Sequence, residues 1–474
     1  MWTRDSRLVA VIAGIAVTAV GFKANAATFS ASEILGQFNA VVFGNFNSSS
    51  DVEGRTVIGG DMNGGATFYI KPGPSAASSY SALTVYGNET SGSTFNVNNG
   101  GSVTIAGSSR GSFNLNSGGS ISIGGGNSGG IQTSNRGAIT IGGANSGTLN
   151  ATSSSVFVGG SNNANVTVNG TGSASVVGAN TGVISVGDGS NVYAGSNGGN
   201  ITVNGNGNIY LNGNNTNQLT VNGTSKVSIA GDTGNINING GSVSYSGSRT
   251  GNQNLNGRSQ LNQVSNAGVT TPTAPSTTLP GFASNFQAPL SALSSQLNSL
   301  TPNSQVKVSG TSIIFDATPS SSATAVFDIK SSLFAPNSTV RFSLNGASTV
   351  VVNVNVDGCV TTVCAFTFAN SINFQNPTSY AGNVLWNFVN ATGITFSNEF
   401  GGTVLAVNAT VTNSNPIDGT LVANSYNGNG EIHNYGFTGT LPSPVNAPEP
   451  GGLALIGTGF IGLGLARWQR RHRG

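Results

Sequence analysis

From Phe95 onward, apolar–polar–apolar triplets recur along the chain in two interleaved series. The first begins at Phe95, Phe113, Ile131, Leu149, Val166, Ile184, Ile201, Leu219 and Ile236. The second begins at Val103, Ile121, Ile139, Val156, Ala174, Val192, Ile209, Val227 and Val243. Steps within each series are 17 or 18 residues, with one final step of 16. Each triplet has the period-2 alternation of a short strand, and Gly, Asn or Ser turns follow it. Two strands per fixed repeat predict an all-β chain folded as a β-solenoid. One coil cannot enclose its own few apolar side chains, whereas stacked coils share a core and bond backbone to backbone. At ~4.8 Å per coil, nine coils extend roughly 43 Å. The spacing leaves open whether each coil has two sides or three. A right-handed β-helix is the default expectation for its hand.

The middle residue of each triplet points outward, which lines up two ladders. One holds Asn96, Asn114, Gln132, Asn150, Thr167, Ser185, Thr202, Thr220 and Asn237. The other holds Thr104, Ser122, Thr140, Phe157, Ser175, Tyr193, Tyr210, Ser228 and Ser244. The aromatics Phe157, Tyr193 and Tyr210 are the candidate ligand face, stacking on sugar rings. The competing reading is cross-strand packing between adjacent coils.

The repeats, 91–263, follow an N-terminal segment, 27–90. Beyond them 264–281 is rich in Thr, Pro and Ser and reads as a connector. In 282–301, Pro289 suits a first helical position, and Leu290, Leu293, Leu297 and Leu300 recur at helical spacing. This predicts one amphipathic helix packed along the solenoid, ended by Thr301-Pro302. Strand patterns return in 302–441 at longer, less regular spacing, among them Val326–Ile329, Val350–Val356, Val384–Phe388 and Thr403–Ala406. These read as larger coils of the same helix.

Charge and chemistry narrow the function. Charged residues make up 7% of the chain and the net charge is +2, partly from the termini, so no basic patch serves nucleic acid. Between 91 and 256 the acids are Asp188 and Asp232, too far apart to act as a catalytic pair. They read as turn residues, as does Asp61. Glu431 and His433 share a strand face, but a zinc or catalytic role lacks further partners, so a structural hydrogen bond closing the last coil is the expectation. No catalytic, cofactor or metal site is assigned. Cys359 and Cys364 are the chain's two cysteines and form a candidate disulfide.

Both ends carry processing signals. Arg4 and Arg7 precede an apolar run from Leu8 to Phe22, and Ala24-Asn25-Ala26 supplies small residues for cleavage after Ala26. Residues 1–26 are thus a secretory signal peptide, cut by signal peptidase. After a linker, 442–447, Pro448-Glu449-Pro450 leads an apolar run, Gly452 to Ala466, and a basic tail with Arg467, Arg470, Arg471 and Arg473. The run is shorter than the ~20 residues of a comfortable span. Residues 448–474 resemble the PEP-CTERM sorting signal of Gram-negative bacteria, which implies recognition by an exosortase and at least transient insertion in the membrane.

The remaining chain resembles the choice-of-anchor A family. The resemblance lies in Phe38-Asn39-Ala40-Val41-Val42-Phe43-Gly44-Asn45-Phe46, Val52-Glu53-Gly54-Arg55 and Gly59-Gly60-Asp61 near the start. Near the end it lies in Gly402 to Ala406, Asn408 to Val411, Asp418 to Leu421 and Gly430-Glu431-Ile432-His433-Asn434. Val407 stands where that family usually has proline. The resemblance implies a β-solenoid with a helix along its side, an adhesive role and no defined reaction. The chain is therefore expected to be exported through the inner membrane to the cell surface or extracellular matrix. There it would act without catalysis in adhesion or biofilm structure, with exopolysaccharide or surface glycans as partners. Ice- or crystal-surface binding is the first alternative; a carbohydrate-active enzyme is the second, disfavoured by the missing carboxylates.

If Pro448-Glu449-Pro450 is a processing site, Glu449→Ala leaves a longer, membrane-retained form. Intact-mass measurement of surface-extracted protein checks this, because a plain anchor would be indifferent to the change.

Overall fold

The computed structural model describes residues 29–276, 278–320 and 322–442. The expected signal peptide with Ala26, and Pro448-Glu449-Pro450 with the segment after it, lie outside the described residues. The chain is a β-solenoid of parallel strands, as the repeat predicts. Each coil has three sides. The first series of triplets forms sheet I, eleven strands from Thr67–Phe68 to Gln253–Asn256. The second forms sheet II. The third side closes the repeats through Glu89, Ser109, Asn127, Asn145, Asn162, Asn180, Asn197 and Asn215 in turn, by single bridges except from Asn180 to Asn197, where Ala179 also pairs with Ser196. Triplets pair in register, Phe95 with Phe113 and Val103 with Ile121, so inward residues stack into one buried core.

That third side is held by a buried asparagine ladder. Asn127 Nδ2 donates to Asn145 Oδ1 at 2.9 Å, and the relay continues through Asn162, Asn180, Asn197 and Asn215 at 2.7–3.0 Å. The second Nδ2 hydrogen of each asparagine goes to the carbonyl two residues on, such as Gly129, Gly147 and Gly182. A buried amide is costly unless bonded, and here both donor hydrogens are used. The ladder recurs in the sequence as Asn-x-Gly, Asn-x-Ala or Asn-x-Asn every 17 or 18 residues. Glycine is needed at Gly129 and Gly147 because a Cβ there would collide with the carbonyl of the preceding coil.

The order of coils along the axis departs from their order in the chain. The first strand, Ala40–Val42, lies between Thr56–Ile58 and the late strand Leu421–Gly428. From this seam the early half of the chain winds away, coil by coil, to Gln260–Gln263. Residues 302–433 begin at the opposite end, with Thr324–Lys330, and wind back through Thr349–Asn355, Val384–Phe388 and Thr403–Asn413. The last coil thus stacks on the first.

Two segments cover the outer face of sheet II. Helix α2, Ala288–Asn298, is entered through a turn of π-helix at Ala283–Gln287, with Pro289 in its first turn. Its Phe286, Leu290, Leu293 and Leu297 pack on Val41, Val57, Val351, Leu385, Leu405 and Val422. Asn387 fixes the helix axially, accepting from Ser294 Oγ at 2.6 Å and donating to Ser294 O at 2.9 Å. A helix not expected from the sequence, α1 (Ala31–Gln37), adds Ile34 and Leu35 to the same cluster. A capping box between Ser30 and Glu33 starts it. The connector 264–281 reaches from the strand end at Tyr245 back to α2, where Phe282 meets Phe43 and Tyr86. That distance is about ten strand spacings, or ~48 Å. Its seventeen residue steps reach ~53 Å in a polyproline-type extension, so it runs nearly taut.

Asn180→Ala breaks the buried ladder and is expected to lower unfolding stability by about 1–3 kcal/mol. Asn163→Ala, next to the ladder but exposed, should shift it by less than about 0.5 kcal/mol. Thermal and urea unfolding midpoints of the two variants check the contrast.

Candidate functional site

The covering of sheet II decides which surface is free. Phe157 and Tyr193, expected to be exposed, are only 8% and 5% accessible. Tyr193 Oη bonds Thr271 Oγ1 at 3.0 Å, which places the connector over this row. Tyr210 sits in the same row and is half-buried. These aromatics therefore do not form an open sugar-stacking face. Tyr193 is a point where the connector is held to the sheet.

The outer face of sheet I is the open one. Thr67, Asn96, Asn114, Gln132, Asn150, Thr167, Ser185, Thr202, Thr220, Asn237 and Asn254 stand in register on consecutive strands. None carries a charge. Neighbours bond along the axis, Asn114 Nδ2 to Asn96 Oδ1 at 3.1 Å and Asn254 Nδ2 to Asn237 Oδ1 at 3.3 Å. Beside this row, Asn204, Asn222, Asn239 and Asn256 form a second amide ladder at 2.8–3.2 Å. The result is a rigid strip of amides and hydroxyls repeating at ~4.8 Å. Such a strip holds uncharged donors and acceptors at fixed spacing.

Acidic side chains gather elsewhere, at the seam. His433 Nδ1 bonds Asp418 Oδ1 at 2.6 Å, and Nε2 bonds Glu431 Oε2 at 2.8 Å. The Asp418 hydrogen bond, with help from Glu431 and against partial burial, raises the His433 pKa to about 9. Burial, then neighbouring Asp418, raises that of Glu399. With both ring nitrogens engaged, this imidazolium is a clamp between strands rather than a base or a metal ligand. Among the described residues, no group of three or more His, Cys, Asp and Glu side chains is placed to hold a metal ion.

The other motif residues of the sequence also meet at the seam. Asn39 Nδ2 donates to the carbonyls of Gly419 and His433 at 2.9 and 3.0 Å, and its Oδ1 accepts from Gly54 N. Asn434 N donates to Glu53 Oε2 at 2.7 Å, and its Nδ2 reaches the carbonyl of Lys71. Arg55 donates to the carbonyls of Gln37 and Tyr80 and lies over the rings of Phe38 and Tyr69. These residues lock the first coil to the last. Asp61, Asp188 and Asp232 each accept a backbone N–H from the next coil, from Asn88, Asn206 and Ser248. Cys359 and Cys364 are bonded to each other and staple a small hairpin whose Val360 and Val363 are exposed.

A family model described as "Putative Ice-binding-like adhesive domain" matches residues 31–135 and 191–434. The chain belongs to that family. The match runs from α1 to Asn434, seam to seam, and the unmatched residues 136–190 amount to about three coils. Among solved structures, an ice binding protein from an Antarctic bacterium, Flavobacteriaceae, aligns at 13% identity and a TM-score of 0.20, covering 87% of this chain and 98% of its own. The tapirin C-terminal domain of Caldicellulosiruptor kristjanssonii aligns at 14% identity and a TM-score of 0.15, covering 88% and 100%. No curated protein matches the chain. Among the described residues, no helix is long and apolar enough to cross a membrane.

The seam clamp gives a pH signature. His433 has a folded pKa of about 9 against an ordinary 6.5, so its stabilising contribution is complete below pH 6.5 and lost as pH rises through 9. The melting-temperature gap between the native chain and His433→Ala is expected to be widest at pH 6 and to close by pH 10.

Proposed function

We propose that this chain is an exported, non-enzymatic adhesin that binds repetitive polymers, exopolysaccharide or surface glycans, through the outer face of sheet I. The observation that carries the reading is the asymmetry of the two broad faces. Sheet II is covered by α2 and the connector, whereas sheet I presents an unbroken uncharged ladder over eleven strands. Many weak hydrogen-bonding contacts at fixed spacing gain avidity from a partner that repeats, with no single tight pocket. The adhesive family supports this, and the choice-of-anchor A resemblance supplies the cellular setting. Secretion removes the signal peptide, and the PEP-CTERM segment hands the chain to an exosortase at the membrane, for release to the surface or biofilm matrix.

A second reading is favoured by the regularity of the same face: a flat lattice of hydroxyls and amides also suits ice or another crystal surface. Its mixed Asn, Ser and Thr composition lacks the uniformity expected of a lattice match.

Lysine at Thr202 and Thr220 is expected to weaken binding to immobilised exopolysaccharide by about tenfold, or 1.4 kcal/mol, with the melting temperature retained. Equal binding by native chain and variant would reject sheet I as the adhesive face. A thermal hysteresis assay on the same pair decides for ice if activity appears in the native chain and vanishes in the variant.

A further inference from the structure

The two ends of the stack are built differently. At one, the chain crosses its own terminal strand: Asn303 N and Ser304 N donate to Val326 O, and Asn303 Oδ1 accepts from Val326 N. The antiparallel hairpin of Gln305–Ser309 and Ser312–Asp316 follows, and its edge strand carries Lys307, paired with Asp316. At the other, Gln253–Asn256 is the last strand of sheet I, and among the described residues Gln260–Gln263 pairs only with Gly241–Tyr245. Among the described residues, the outer edge of each has no backbone partner. Leu255 and Leu261 point inward yet are only partly buried, because no further coil lies over them.

Edges of soluble β-proteins are usually blunted by Lys, Pro or a bulge. These strands read Gln-Asn-Leu-Asn and Gln-Leu-Asn-Gln, with no charge and no proline within them; the nearest charges are Arg249, which bonds Gln253 Oε1, and Arg258 in the turn between the strands. Both outer amide ladders of sheet I stop here, at Asn254 and Asn256. An amide donates and accepts, so the end of an amide ladder is complementary to a copy of itself. Uncharged Asn and Gln edges are also the kind that stack most readily on one another.

We propose that this end of the solenoid docks against the same end of a second copy, the two Gln253–Asn256 strands pairing antiparallel about a two-fold axis. The interface is isologous and closes at a dimer. Head-to-tail growth is disfavoured, because the edge at the opposite end carries the charged Lys307 in place of an amide row. The dimer sets two sheet I faces edge to edge and doubles the length of the uncharged strip.

The chain's own two cysteines are bonded to each other, so an introduced cysteine is its single free thiol. In the full-length chain under mild oxidation, Asn254→Cys or Asn256→Cys is expected to give a disulfide-linked dimer on a non-reducing gel. Thr202→Cys, on the same face at mid-stack, is expected to stay monomeric. In sedimentation velocity, the double variant Asn254→Lys/Asn256→Lys should weaken dimerisation at least about tenfold while melting as the native chain does. Cross-linking no stronger than that of Thr202→Cys, or a dimer that survives the two lysines, would overturn the proposal.

Discussion

The pairing of the first strand with the last is the contact on which the rest of the structure depends. Ala40–Val42 bonds Leu421–Gly428 across a sequence separation of about 380 residues, and this joins two half-solenoids into one stack. A parallel coil draws its stability largely from the neighbours it stacks on. Without the seam, each half would expose a layer of core and a row of backbone groups in the middle of the molecule. The density of polar locks there, Asn39, Glu53, Asn434 and the His433 clamp, fits that burden. The helices sit on the same region, so α1 and α2 brace the joint as well as covering sheet II.

The two halves solve burial differently. Early coils are narrow, and their third side carries amides instead of apolar residues, because one asparagine per coil can bond both its neighbour and its own turn. Late coils are wider and filled with aromatics: Trp386 packs against Phe315, Phe374 and Phe400, and its indole N–H finds Gly401 O at 2.9 Å. Both arrangements leave the strands parallel and in register, so they coexist in one stack.

Much of this was legible in the sequence. Alternation at 17 or 18 residues located the repeat strands, and leucine spacing located α2. Three things were not. The third side makes mostly one-residue bridges, so it leaves no strand pattern, although the recurring Asn-x-Gly was a readable trace. The stacking order depends on contacts between distant segments, which local periodicity does not encode. The fate of Phe157 and Tyr193 turned on where the connector runs. A subtler signal did mark the covered region: Ala40-Val41-Val42, Leu421-Val422-Ala423 and Val350 to Val352 are apolar without alternation, as strands buried on both faces are. The motif segments were visible but their role was not, because residues that lock a joint look like a site until their partners are known.

The nearly taut connector has a consequence for how such a molecule changes over evolutionary time. Whole coils are easy to gain or lose, since each touches only its neighbours. On the far side of the seam from α2, however, every added coil lengthens the path back by ~4.8 Å, and the strap has only a few ångströms of slack. It therefore acts as a length gauge: about three extra coils demand roughly four or five more connector residues at ~3.1 Å each. Repeat number and strap length should drift together, and a chain that duplicated coils alone would tear its helix from the seam.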